Sequence, residues 1–79
     1  MFSKKEKSKK VYSNQLIKRV SKIPAGDIVF WADQAMSEIG RSLYSYESSR
    51  EEIHLNEAIE GIRALEAIVM EIQYRATTR

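Results

Sequence analysis

Seventy-nine residues with 43% hydrophobic and 30% charged content have the balance of one small, soluble, folded domain and not of a disordered chain. There is no cysteine, which excludes a disulfide staple and any thiolate metal site, and three glycines with one proline are too few for the turns of a β-rich chain, so the expected class is all-α. The net charge of +2 hides a division: residues 1–22 carry eight cations against Glu6 alone, a net +7, and residues 23–79 carry five arginines against ten carboxylates, a net −5.

The basic part comes first. Lys4, Lys5, Lys7, Lys9 and Lys10 lie in a Lys/Ser-rich stretch, Met1 to Lys10, that is expected to be disordered when free of a partner. No apolar run follows these lysines, so no signal peptide is expected. Nothing approaches the length of a membrane span, and the expected location is the cytoplasm. Tyr12, Leu16, Val20 and Ile23 then fall at helical spacing, with Ile17 beside them. Ser13 as a cap and Pro24 as a stop predict a short helix over 13–22, within a basic arm spanning 1–22.

Residues 23–79 predict a helical hairpin. Helix A runs from about 25 to 48, with Pro24 near its first turn and Asp27 complementing the helix dipole. Its inward row reads Ile28, Ala32, Ala35, Ile39, Leu43 and Tyr46, in steps of three and four, while Val29, Trp31, Met36 and Gly40 widen the apolar arc. A glycine in mid-helix costs about 1 kcal/mol relative to alanine, so Gly40 reads as a place for another backbone to approach. Ser49-Arg50-Glu51-Glu52 fits a capping box opening helix B, which runs from about 50 to 76. Leu55, Ala58, Ile62, Leu65, Val69, Ile72 and Ala76 form a heptad seam flanked by Ile59 and Ile68. Glu60–Arg63 and Glu71–Arg75 are spaced to pair on the outer surface, where such pairs contribute little.

Two helices meeting along one seam leave the flanking side chains uncovered. Trp31, Met36, Gly40, Ile59 and Ile68 are therefore the candidate partner or self-association residues, and a homodimeric antiparallel four-helix bundle is the expected assembly. A three-helix monomer, covered in part by the short N-terminal helix, is the alternative. Trp31, Tyr44 and Tyr74 are the aromatics expected to be only partly buried.

Catalytic constellations lack the necessary residues. His54 is the single histidine, the three glycines are isolated, and no nucleophile elbow is present, so neither an enzymatic role nor a cofactor is expected. Glu51-x-x-His54 has the i, i+3 spacing of di-metal helical bundles, but it lies at the end of the hairpin, where the bland reading is a cap residue followed by an exposed histidine. Lys4, Lys5, Lys7, Lys9, Lys10, Lys18, Arg19 and Lys22 are the candidate charge-contact residues. They suit nucleic-acid phosphates, an anionic membrane into which Leu16, Ile17, Val20 and Ile23 dip, an acidic protein surface, or simple solubilisation.

The run from Ile23 to Ala35, Ile-Pro-Ala-Gly-Asp-Ile-Val-Phe-Trp-Ala-Asp-Gln-Ala, followed by Gly40-Arg41, resembles small helical proteins of actinobacteria and their phages, a group without assigned function. The resemblance covers about a quarter of the chain and implies an origin in such a genome, with no chemistry attached. The expected role is a non-enzymatic interaction module of phage or bacterial type, with a nucleic-acid-associated protein as the alternative and a metal-binding bundle behind it.

Overall fold

The computed structural model describes residues 14–78, which form three helices and, within that range, no strand: α1 (Asn14–Ser21), α2 (Ile28–Ser49) and α3 (Glu52–Thr77). The class is all-α. The Ser13 cap, Tyr12 and the lysines from Lys4 to Lys10 lie outside the described residues.

α1 ends within a residue of the expected place, and its last carbonyls all find donors. Ser21 Oγ donates to the Lys18 carbonyl at 2.8 Å, and the N–H groups of Lys22 and Ile23 donate to the carbonyls of Arg19 and Val20. The C-terminal end of any helix leaves carbonyls without intrahelical donors. Arg75 of α3 meets the remainder: its Nη2 donates to the carbonyls of Val20 (3.5 Å), Ser21 (3.3 Å) and Ile23 (2.7 Å), while Glu71 holds its Nε at 2.8 Å. Ala25–Asp27 forms a turn rather than the opening of α2, which begins at Ile28 with Trp31 N–H donating to the Asp27 carbonyl at 3.1 Å.

The connection from α2 to α3 also departs from the expected cap. Arg50 closes α2 in the left-handed region, at φ 60°, and its N–H donates to the Tyr46 carbonyl at 2.7 Å. Glycine is the usual residue there. Here the guanidinium sits 5.7 Å from the centroid of the Tyr46 ring, a cation–π contact that accompanies the less favourable backbone. Ser49 is the last residue of α2, so it does not cap α3. Its Oγ accepts from Glu51 N–H at 3.2 Å, and Glu51 takes the N-cap position without a side-chain cap bond.

α2 and α3 pack antiparallel: Ile28 and Ile72 line one cleft, Ile39 meets Gly61, and Ser45 and His54 line another. Among the described residues the buried ones are Val20, Ile28, Ala32, Ala35, Ala58, Ala67 and Ile68, four of the seven being alanine. The α2–α3 seam is made of small residues. At Gly61 an added Cβ would stand 2.7 Å from Ile39 Cγ1, which measures how closely the backbones approach. Val20 joins Ile28, Ala32, Ala67 and Ile68 in one cluster, with Leu16, Ile23, Leu65 and Ile72 packed against it.

On α2 the expected inward row holds at Ile28, Ala32, Ala35, Ile39 and Tyr46, but α3 is turned away from the expected register. The inward row of α3 runs through Ala58, Gly61, Leu65, Ile68, Ile72 and Arg75, and Ile62, Val69 and Ala76 are exposed. Ile68, expected at the flank, is buried at 5% exposure. On α2 the row passes through Ser42 in place of Leu43, which is 47% exposed. Close approach at Ala32, Ala35, Ala58 and Gly61 brings more atoms into contact than the bulkier row permits, and the large side chains are displaced to the sides.

Candidate interaction face

The displaced side chains do not scatter. Val29, Met36 and Leu43 follow Ile28, Ala35 and Ser42 of the inward row of α2 by one residue each, and Ile59, Ile62 and Val69 follow Ala58, Gly61 and Ile68 of α3 in the same way. One residue is about 100° around a helix, in the same sense on both. Because the two helices run antiparallel, that common displacement brings both stripes to one side of the pair. The six side chains are 45–68% exposed. Val29, Met36 and Leu43 repeat every seven residues, as do Ile62 and Val69, which is the spacing that a further helix packs against.

Gly40 lies on the same face, between Met36 and Leu43. Among the described residues nothing stands within 4 Å of the position its Cβ would take, and it lines a shallow dent with Leu43, Tyr44 and Glu47. Between the apolar groups stand Asp33, Glu47 and Glu66, also exposed. The opposite side of the pair is occupied by α1, whose Ile17 and Val20 line a cleft with Ala67, Met70 and Glu71. Met36, Gly40 and Ile59 are thus brought together as candidate contact residues, Ile68 is withdrawn into the core, and Trp31 is exposed on a different side of α2, edge-to-face with Phe30 at 5.6 Å. Tyr44 and Tyr74 are more exposed than expected, at 75% and 62%.

His54 sits at the α2–α3 connection with its ring nitrogens toward two carboxylates, Nδ1 at 3.2 Å from Glu57 and Nε2 at 4.0 Å from Glu51. Both glutamates are largely exposed, and no group of three or more His, Asp or Glu residues is placed to hold a metal ion among the described residues. Lys18 and Arg19 on α1 and Lys22 in the turn that follows it are exposed, and none is in an ion pair among the described residues. Among the described residues no helix is long and apolar enough to cross a membrane.

No family model matches the chain, and no curated protein or solved structure shows significant similarity to it.

Proposed function

We propose that the protein is a non-enzymatic helical interaction module, of the accessory kind that phages and bacteria carry, and that its α2–α3 hairpin self-associates into an antiparallel four-helix bundle. The observation that carries this reading is the face built by Val29, Met36, Leu43, Ile59, Ile62 and Val69, apolar, heptad-spaced and uncovered. A second copy suits it because a two-fold axis sets the same stripes against one another, with the dent at Gly40 admitting a facing side chain. The Lys/Ser-rich stretch at residues 1–10 has too few apolar groups to cover it.

Magnitudes bound the strength. Full burial of such a side chain contributes about 1.5–3 kcal/mol, so covering the half that remains exposed contributes about 1 kcal/mol each. For two protomers this comes to about 12 kcal/mol, within the cost of about 4–15 kcal/mol for bringing them together. The dimer is therefore reversible. Asp33, Glu47 and Glu66 give both facing surfaces negative charge, so it tightens as salt screens them.

Light scattering coupled to size-exclusion chromatography of the full chain tests the reading across a range of concentrations. The wild type is expected to approach twice the chain mass of 9.1 kDa. Leu43→Asp and Val69→Asp change side chains that are already half exposed, and each is expected to give a folded monomer at concentrations where the wild type is paired. A folded wild type that stays at 9.1 kDa at the highest concentration reached removes the self-association.

A further inference from the structure

The side of the molecule opposite the apolar face has a different chemistry. α1 has one apolar edge, and docking uses it: Val20 is 5% exposed, Leu16 and Ile23 are half-buried against the core, and Arg75 clasps the chain where it leaves the helix. What remains outward is a row of cations. Arg19 follows Gln15 by four residues and Lys22 follows Lys18 by four, so these side chains lie along one stretch of the surface, in water and without carboxylate partners among the described residues. Five further lysines precede them in the chain, and residues 23–79 carry a net −5 that repels an anion from the rest of the surface.

We infer that the outward face of α1, with Lys22 just after it, is a docking surface for the phosphate backbone of nucleic acid. Phosphate backbones and anionic lipid surfaces both present a regular, extended array of anionic groups, and the packing of α1 separates them. A helix that lies in a membrane interface inserts its apolar edge below the headgroups. The edge of α1 is committed to the protein core, and Ile17 alone of its apolar side chains stands half exposed. A phosphate backbone demands no inserted edge, only cations free to replace counterions. Lysine dominates the row, and an ammonium is a compact point charge without the planar fork that reads guanine or fits a single phosphate bidentately. The contact is therefore indifferent to base sequence.

The test compares full-length wild type with the Lys18→Gln/Arg19→Gln/Lys22→Gln variant, titrated onto a labelled duplex of about 20 base pairs at several salt concentrations between about 50 and 200 mM. The three residues are exposed, so matching helical circular dichroism and melting are expected for both proteins. Wild type is expected to bind with an affinity that falls steeply with salt, and the variant to bind more weakly with a log–log salt slope smaller by about 3, one for each cation removed. Vesicles of phosphatidylglycerol with phosphatidylcholine form the parallel arm. Absence of duplex binding by wild type at the lowest salt overturns the inference, as does an unchanged slope in the variant or vesicle binding tighter than duplex binding.

Discussion

Gly61 and Gly40 face opposite surroundings, and substituting each with alanine separates the two contacts they serve. At Gly61 the new methyl overlaps Ile39 Cγ1 at 2.7 Å, and a β-branched side chain packed on the seam has no free rotamer in which to yield. Helix propensity favours alanine by about 1 kcal/mol, but overpacking of this kind costs about 1–3 kcal/mol, so Gly61→Ala is expected to destabilise by about 1 kcal/mol in urea unfolding. At Gly40 nothing among the described residues stands in the way, so Gly40→Ala gains the propensity term in full. The same methyl fills the dent on the apolar face and weakens self-association. Melting temperature at low protein concentration is expected to rise, and the difference between melts at high and low concentration to shrink. A rise of equal size at both concentrations would separate Gly40 from the dimer contact.

Among the elements, α1 depends most on others. Eight residues are too few for a stable isolated helix, and this one borrows its stability from Val20 in the core and from Arg75 at its end. Arg75→Met keeps the length of the side chain and removes the donors, and Arg75→Lys keeps the charge and removes the fork. Hydrogen bonds to a charged group contribute about 1.5–3 kcal/mol when buried, and with Arg75 partly exposed a loss near the lower end is expected for methionine, with lysine recovering part of it. Hydrogen exchange of the α1 amides reads this directly: protection is expected to fall in α1 while the middle of α3 keeps it. A uniform loss across all three helices would show that α1 is not a separate unit.

The existence of all three helices, and the ends of α1 and α3 to within about two residues, were legible in spacing, Pro24 and the fall of apolar residues. The rotation of α3 was not, nor was the exposure of Leu43 on α2. Ala58-Ile62-Leu65-Val69-Ile72 and Ala58-Gly61-Leu65-Ile68-Ile72 both step by threes and fours, and choosing between them by side-chain size selects the wrong one, because the seam is set by how closely Gly61 and the alanines let the backbones approach. The candidate face was legible in part for the same reason: Met36, Gly40 and Ile59 were read as flanking, while Leu43, Ile62 and Val69 were placed inside. Arg75 was read as half of an i, i+4 pair with Glu71, and that pair exists. Its bonds to Val20, Ser21 and Ile23 join residues far apart in the chain, which no local pattern registers.

For the whole molecule, the two surfaces have a joint consequence. The apolar face and α1 lie on opposite sides of the α2–α3 pair, so a two-fold dimer through the apolar face carries its two α1 helices on opposite outer sides. Each outer side then offers its own row of Lys18, Arg19 and Lys22, too far around the bundle for one straight duplex to reach both. Such a dimer is expected to hold two duplexes at once. Energy transfer between two short duplexes bearing different dyes measures this, rising as protein is added and falling once excess protein gives each duplex its own dimers. The two surfaces also respond oppositely to salt, with pairing strengthened and phosphate contact weakened, so bridging declines with salt in step with duplex binding and not with dimer dissociation. Val69→Asp is expected to bind a single duplex and to bring no pair together. Transfer that persists in that variant would place the bridge somewhere other than the apolar face, and wild-type dimers that bind without transfer would place both basic rows on the same side.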